Sequence, residues 1–234
     1  MIKADLHVHT NFSYDGVSSP KEIVKSAIAK GIRCICVTDH GEIKGAIEAM
    51  KFGYDRDILI VPGIEILSKS GDILGINIRK KIPNKLSAKE TIKEIRKQGG
   101  IAAIPHPFNK PLMGFWGGAE KMRLVSPDAI ETFNASVFFS SSNKKALNFS
   151  KENNFCFTAG SDAHRKDFVG RGYIKISDNV FSEKDLVAAI MKKNIATGGE
   201  RLTFWELLKN VSSANVKSMI VYCANKKKIC KKAN

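Results

Sequence analysis

The feature that most constrains the fold is an alternation of short β-rich runs with amphipathic stretches of helical length along most of the chain. Strands that alternate with helices predict βαβ units and a parallel sheet, which is either open and doubly wound or closed as a barrel. The β-rich runs lie at residues 2–6, 34–37, 58–61, 73–78, 101–104, 129–133, 155–158 and 173–176.

Several helices carry clear end signals. Ser19 is suited to the N-cap position and Pro20 to the first helical position. Proline is tolerated there because the amide hydrogen that it lacks would have no partner within the helix. Ser87 is a second predicted N-cap, with Glu90 three residues later as its capping-box partner. We predict helices at residues 20–30, 87–97 and 182–193, and a last one near residues 204–208.

The chain of 234 residues is long enough for one large α/β domain. We assign residues 1–210 to that domain. Residues 211–234 form a predicted strand near 218–222 and a lysine-rich tail, and the sequence leaves open whether they belong to the same domain. The sequence has no apolar stretch of membrane-spanning length and no signal sequence. It therefore predicts a cytoplasmic protein with no membrane partner, and it gives no oligomeric state.

The five cysteines are odd in number and form no CxxC pair, which predicts reduced, mostly buried thiols. Cys223 and Cys230 lack nearby partner ligands and make a weak metal pair. The formal net charge of +15 favours anionic ligands such as nucleic acid or phosphorylated metabolites. Part of this excess lies in the tail, and lysine-rich bulk composition is an equally good interpretation of the rest.

All five histidines fall into four short motifs, each directly after a β-rich run. In a barrel, the carboxyl ends of the strands converge on one mouth, whereas an open sheet concentrates ligands at one switch point. Six different strands are followed by polar residues, so we predict an α/β fold of the barrel type, a distorted seven-stranded (β/α)7 TIM-like barrel. The polar residues are His7, His9, His40, Glu65, His106, Asn134, Asp162 and His164.

These side chains predict a metal site. Imidazole and carboxylate together suit zinc, iron or manganese. With Asp15, Glu65 and Asp162, the histidines supply more donors than one ion needs, which predicts two or three divalent ions (Mn, Zn or Fe). Closely spaced ions acidify a water and neutralise charge on a phosphoryl group. The predicted reaction is hydrolysis of a phosphate ester through a metal-bound hydroxide.

The motifs also resemble a known family. They are Asp5-Leu6-His7-Val8-His9-Thr10, Ser13-Tyr14-Asp15-Gly16, Val37-Thr38-Asp39-His40, Gly63-Ile64-Glu65, Pro105-His106-Pro107 and Gly160-Ser161-Asp162-Ala163-His164. In this order they resemble the PHP family, named for polymerase and histidinol phosphatase. The resemblance implies a distorted barrel with a phosphoesterase site of two or three metals. It would place His7, His9, Glu65 and Asp162 on one ion, Glu65 and His106 on a second, and Asp15, His40 and His164 on a third.

One position departs from the family. Many relatives have a further histidine where this chain has Asp72, in the segment Ser70-Gly71-Asp72. An aspartate can still coordinate as a harder oxygen ligand, better matched to manganese or magnesium than to zinc. A turn residue in a hairpin is an equally good interpretation of Asp72. Asp72 is therefore a further candidate metal ligand, and the number of ions depends on it.

Candidate catalytic and substrate residues are fewer. Glu65 and Asp162 are candidate catalytic residues, and Arg171 between two glycines is the predicted phosphate clamp because guanidinium offers a bidentate fork. A surface arginine in a loop is the alternative for Arg171. Asn134 could bind substrate, hold a metal ligand or cap its loop, and Asn109 and Lys110 follow His106 closely enough to line the pocket.

Three function classes follow. The favoured one is a free-standing phosphoesterase acting on a nucleotide, the end of an oligonucleotide or a small phosphorylated metabolite. The second is a non-catalytic RNA-binding barrel, similar to the protein subunit of ribonuclease P, which the basic charge would suit. The third is an accessory domain of a polymerase. An RNA-binding barrel has no need for the full set of eight metal-type donors that this chain contains. The accessory-domain class is less favoured because no polymerase module follows in this sequence.

Overall fold

The computed structural model describes residues 1–109, 115, 118–177, 179, 180 and 182–210. The predicted strand at 218–222, the lysine-rich tail, the pair Cys223 and Cys230, and Lys110 lie outside the described residues. The three cysteines that are described, Cys34, Cys36 and Cys156, are buried free thiols, as predicted.

The described residues contain nine strands in one sheet: β1 Ile2–Val8, β2 Ile32–Val37, β3 Leu59–Ser68, β4 Gly71–Ile76, β5 Ile101–Ile104, β6 Ala129–Asn134, β7 Cys156–Gly160, β8 Gly172–Ile176 and β9 Ala196–Gly199. Their order across the sheet is β7-β6-β5-β4-β3-β2-β1-β8-β9. The predicted α/β barrel is confirmed, but it has nine strands rather than seven. The missed strand, β9, has the sequence Ala-Thr-Gly-Gly, which carries no strand pattern, and it is held by antiparallel pairing with β8.

Seven of the nine described strands, all except β4 and β8, run in one direction and bring their carboxyl ends to one mouth. Pairing is parallel from β1 through β3 and from β5 through β7, while β3 and β4 form an antiparallel hairpin with no helix between them. The sheet nearly closes where the chain after β7 returns to β1. There the Asp162 amide donates to the His7 carbonyl at 2.8 Å, and the His9 amide to the Ala163 carbonyl at 2.9 Å.

Within the part of the chain that the structure describes, seven helices accompany the strands: α1 Pro20–Ala29, α2 Lys44–Gly53, α3 Ala88–Lys97, α4 Gly118–Val125, α5 Ser140–Glu152, α6 Glu183–Met191 and α7 Phe204–Asn210. The predicted cap at Ser19 and the predicted capping box of Ser87 with Glu90 are both present. Each satisfies helix-terminal amides that have no partner within the helix. Among the described residues, no helix is long and apolar enough to cross a bilayer.

The buried core has two parts. An inner cluster includes Leu6, Cys36, Leu74 and Ala103 from the barrel strands, packed with Leu186 of α6. An outer cluster joins the other faces of the strands to the surrounding helices and contains Val8 of β1. Apolar side chains thus fill the barrel below the mouth.

An irregularity in β1 directs two histidines into the mouth. Asp5 pairs with Ile35 and Val8 with Val37, so β1 contains one residue more than β2 over this interval. Such a bulge shifts the alternation of side chains along a strand. Leu6 therefore belongs to the inner cluster and Val8 to the outer one. The shift leaves His7 and His9 on the inner side, above the apolar filling.

Candidate metal centre

The structure brings all eight predicted metal-type donors to one mouth. β1 carries His7, and His9 follows it; Glu65 belongs to β3, while the other five lie in the loops after β1, β2, β5 and β7. Together with Asp72, their ligand atoms fall into four overlapping groups whose members lie within 4.8 Å of one another. The groups are His7-His9-Glu65, His7-His106-Asp162, Glu65-Asp72-His106 and His9-Asp15-His40-His164.

The deepest part of the centre is formed by two histidines and two carboxylates. Nε2 of His7 lies 3.1 Å from Nε2 of His9 and 3.3 Å from Oε2 of Glu65. Oδ1 of Asp162 lies 3.5 Å from His7 Nε2 and 3.3 Å from His9 Nε2. Four donor atoms thus converge from β1, β3 and the chain after β7, in the combination that the family resemblance implies for one ion.

A second group lies at the opening of the mouth. Oδ2 of Asp15 is 3.3 Å from His40 Nε2 and 3.1 Å from His164 Nε2. The side chains of His40 and His164 are 13% and 11% exposed, whereas that of His7 is fully buried. The structure adds His9 to this group, which the sequence did not predict. A ligand from solution would first meet this side of the centre.

The third group contains Asp72. It lies within strand β4, paired with Leu67 of β3, and not in the turn that precedes it. Its carboxylate joins Glu65 and His106, whose Nε2 is 3.5 Å from Glu65 Oε1. This position favours the interpretation of Asp72 as a ligand over a turn residue.

Unpaired buried atoms test whether cations fit these groups. Oε1 of Glu65, Oδ1 of Asp15 and Nδ1 of His106 are buried and make no hydrogen bond to any residue that the structure describes. Leaving such atoms unsatisfied costs about 1–3 kcal/mol each, more for charged groups. A divalent cation would satisfy the carboxylate oxygens, so the donor set fits divalent metal ions.

The electrostatics of the centre agree with that fit. Burial opposes ionisation of Asp15, Glu65 and Asp162, but the surrounding histidines outweigh it and hold the pKa of each carboxyl well below its usual range. Burial also opposes protonation of His40, but Asp15 and Glu65 outweigh it and raise its pKa to about 10. Burial, reinforced by His164, lowers the pKa of His9 to about 3. The carboxylates are thus ionised and stabilised by positive charge, which bound cations would supply.

A residue that the sequence analysis missed holds the inner histidines. Oε1 of Glu131, on β6, lies 3.0 Å from Nδ1 of His7. Its Oε2 accepts the backbone amide of His106 at 2.8 Å and the side-chain amide of Asn134 at 2.9 Å. A carboxylate there keeps the hydrogen of His7 on Nδ1, so Nε2 presents its lone pair to the centre. A single charged residue inside the apolar run 129–133 was the available signal.

Ser13 and Asp39 form a second support for the histidines, beneath the opening of the mouth. The Ser13 hydroxyl donates to Asp39 Oδ1 at 3.1 Å, which leaves its oxygen to accept from His9 Nδ1 at 3.0 Å and from the His40 amide at 2.9 Å. Asp39 also accepts the amide and hydroxyl of Thr10. Ser13 and Asp39 both occur within the sequence motifs. Residue type alone does not show whether such a side chain binds a metal ion or holds a metal ligand in position.

Backbone strain occurs at two of the donors. His106 has φ +31° and Asp162 has φ +54°, in the left-handed region that favours glycine. Such conformations cluster at functional sites and persist where neighbouring contacts fix them. Here the His106 amide is fixed by Glu131 and the Asp162 amide by the His7 carbonyl.

The predicted substrate residues are placed differently. Nδ2 of Asn134 donates to Asp162 Oδ2 at 3.2 Å and its Oδ1 accepts the Ser136 amide at 2.8 Å, so it both holds a predicted ligand and caps its loop. The Arg171 guanidinium pairs with Glu206 at 3.0 Å and with backbone carbonyls of residues 200 and 201. No contact of Arg171 with the donors is recorded among the described residues, and its role as a phosphate clamp stays a prediction. Asn109 accepts the Phe138 amide.

Comparison with known proteins agrees with the sequence motifs. Residues 5–115 match the model of the PHP domain family, and residues 140–195 match the PHP-associated family. An uncharacterised protein of Methanocaldococcus jannaschii is 37% identical over 144 residues, which are 57% of this chain and 82% of the relative. The 5'-3' exoribonuclease of Haemophilus influenzae is 32% identical over 119 residues, 46% of this chain and 43% of the relative.

A solved structure has the same fold. It is a two-domain protein from Bacteroides vulgatus that contains a predicted PHP-like metal-dependent phosphoesterase. The two structures align with a TM-score of 0.72 at 20% sequence identity, over 90% of this chain and 68% of the other.

Proposed function

Because the chain belongs to the PHP domain family, we propose that it is a metal-dependent phosphoesterase whose reaction takes place at the mouth of the barrel. The observation that carries the proposal is the position of Glu65. Its Oε2 lies 3.3 Å from His7 Nε2, 3.4 Å from His9 Nε2 and 3.2 Å from His40 Nδ1, and its Oε1 lies 3.5 Å from His106 Nε2. One carboxylate that contacts four histidines is placed to bridge more than one ion.

The donors divide by depth. We assign His7, His9, Glu65 and Asp162 to an inner ion, Glu65, Asp72 and His106 to a second, and Asp15, His40 and His164 to a third nearer solvent. Divalent ions held there would supply a nucleophile at neutral pH and stabilise the charge that develops on a phosphoryl group. The mixed imidazole and carboxylate set suits manganese, zinc or iron.

Two side chains that are not proposed ligands would hold the ligands in position. Glu131 keeps the His7 hydrogen on Nδ1, and Asn134 holds the second oxygen of Asp162. The partly exposed His40 and His164 border the only side of the donor set that reaches solvent among the described residues. A phosphate ester would approach there, while the buried carboxylates stay out of water.

The favoured substrate class is a nucleotide or the end of an oligonucleotide. The Haemophilus influenzae relative, which aligns with 46% of this chain, is named as a 5'-3' exoribonuclease, an enzyme whose substrate is RNA. The net charge of +15 also favours polyanions. A small phosphorylated metabolite is the alternative substrate. A non-catalytic RNA-binding barrel is less favoured, because binding alone requires neither the convergent donors nor their unsatisfied oxygens.

The proposal is tested with a generic aryl phosphate. Protein loaded with Mn²⁺ is expected to release phosphate and to lose that activity on chelation. His7→Ala and Asp162→Ala are expected to reduce the rate to near background, whereas Asp55→Ala, which alters an exposed carboxylate, is the matched control. Undiminished activity in the first two variants would overturn the assignment of the site.

A further inference from the structure

A cluster of exposed aromatic side chains lies next to the mouth. We define the aromatic platform as Phe138, Phe139, Phe204 and Trp205, which are 51%, 51%, 54% and 72% exposed. The ring centroids of Phe138 and Phe139 lie 4.8 Å apart, those of Phe138 and Phe204 6.3 Å, and those of Phe204 and Trp205 5.5 Å. Large aromatic rings are seldom left in such a group on a free surface, and contiguous exposed apolar groups mark binding sites.

The platform is tied directly to the metal centre through α7. Asn210, the last residue of that helix, donates to the Asp162 carbonyl at 2.9 Å and accepts the His164 amide at 2.9 Å. Trp205 and Phe204 precede it by five and six residues, so at about 1.5 Å per residue they lie roughly 8–9 Å further along the helix axis. That span corresponds to about two or three stacked nucleotides at about 3.4 Å each.

The second arm of the platform is fixed to the same donor. The Ser136 hydroxyl donates towards the carbonyls of Ser161 and Asp162, and it accepts from Asn210 at 3.0 Å. Phe138 follows Ser136 by two residues, and its carbonyl accepts from Arg201. Both segments that carry the rings are therefore tied by hydrogen bonds to the backbone of Asp162.

The charge around the platform suits a polyanion. Lys144 and Lys145 of α5 and Lys209 of α7 are exposed on the two helices that border it. The acidic residue of α7, Glu206, is neutralised by Arg171 at 3.0 Å. Proteins that bind single-stranded nucleic acid combine stacking rings with basic side chains in this way, and stacking tolerates any base.

We propose that the aromatic platform binds the bases of a single-stranded oligonucleotide whose terminal phosphoester lies at the mouth of the barrel. The inference rests on the proposed phosphoesterase function for the position of the reacting phosphate, but binding to the platform does not require catalysis. The platform makes the protein select oligonucleotides of about three nucleotides or more over mononucleotides, because only the longer chains reach from the opening to the rings.

Binding is measured without hydrolysis. The chain has two tryptophans, so Trp116→Phe leaves Trp205 as the single reporter of fluorescence. In the presence of chelator, an adenylate hexamer is expected to quench this emission and to bind on the order of tenfold more tightly than adenosine monophosphate. Phe138→Leu and Phe204→Leu, which keep apolar volume but lack a stacking face, are each expected to weaken hexamer binding by a similar factor. Tyr54→Leu, at an exposed tyrosine after α2, is the control.

Three results would overturn the inference. One is an emission maximum of the free protein typical of a buried indole, because another part of the chain or a second copy would then cover the rings. Another is a response to vesicles of anionic lipid and none to the hexamer. The third is equal affinity for hexamer and monophosphate. Aryl phosphate hydrolysis by the same Mn²⁺-loaded protein decides the phosphoesterase proposal separately.

Discussion

At the scale of single residues, two glutamates contact four of the five histidines. Glu65 contacts four of them through its two oxygens, and Glu131 contacts the ring of His7 and the backbone of His106. One glutamate is a proposed ligand and the other supports a ligand. The distinction predicts different effects of their substitution, since a supporting carboxylate tunes affinity without contributing a bond to the ion.

Glu131→Gln is expected to lower metal affinity by about 10–100-fold with little change in the fold. The amide cannot supply the charge that holds the Nδ1 hydrogen of His7, and its NH2 group cannot accept the His106 amide. Titration calorimetry with Mn²⁺ measures the effect, and Glu152→Gln at an exposed position of α5 is the control. Unchanged affinity would show that Glu131 does not orient His7.

Metal binding is expected to release protons. Against the effect of burial, Asp15 and Glu65 raise the pKa of His40 to about 10, so the metal-free protein carries this proton at pH 7. An ion must displace it, and affinity should therefore rise between pH 6 and 8, by about tenfold per unit for each proton displaced. Calorimetry in two buffers of different ionisation enthalpy counts the protons. His40→Asn should release fewer, and an affinity independent of pH would contradict this account.

Asp72 is expected to determine the number of ions. Asp72→Ala removes a carboxylate from the group that contains Glu65 and His106, and we expect about one ion fewer per chain. Elemental analysis of protein equilibrated with Mn²⁺ measures the content, and Asp57→Ala at an exposed carboxylate is the control. An unchanged content would leave Asp72 as a structural residue of β4.

At the scale of elements, the site depends on how β1 meets β7. The bulge in β1 directs His7 and His9 inwards, and the chain after β7 brings Asp162 against them. Gly160 makes the close approach possible, because a Cβ there would lie 2.3 Å from His7 Cβ and 2.7 Å from the His7 amide nitrogen. The two elements must touch for donors from both to share an ion.

Gly160→Ala is expected to lower the free energy of unfolding by about 1–3 kcal/mol, because the atoms it meets include backbone that cannot turn aside. Displacement of β1 should also weaken metal binding. Thermal unfolding and Mn²⁺ titration measure the two effects. Gly198→Ala, whose Cβ would meet only the Tyr173 side chain at 3.2 Å, is the control. Equal behaviour of the two variants would exclude a special role for the junction.

The elements also explain what the sequence could predict. Strands with continuous apolar runs and the capped helices α1 and α3 carry local signals, and each of them was predicted from the sequence. β9 was missed because only its pairing with β8 makes it a strand. Glu131 was missed because its partners are 124 and 25 residues away along the chain. Motifs identify donors, whereas supporting residues are defined by contacts that only the fold creates.

At the scale of the whole molecule, a ring of metal-type donors lies above the apolar filling of the barrel. The inner cluster keeps water from the lower side of the donors, and the opening lies at His40 and His164. Beside that opening stand the aromatic platform and the lysines of α5 and α7. This arrangement suits a reaction on phosphate at the end of a longer anionic chain.

The most direct test of the central claim, that convergent donors at the mouth hold the ions that hydrolyse phosphate esters, is a titration of metal-free protein with Mn²⁺. Bound metal and the rate of aryl phosphate hydrolysis are measured on the same samples. We predict no hydrolysis without metal and a rate that rises until two or three ions are bound per chain. Hydrolysis at full rate without bound metal, or two or three bound ions with no hydrolysis of any phosphate ester, would contradict the account.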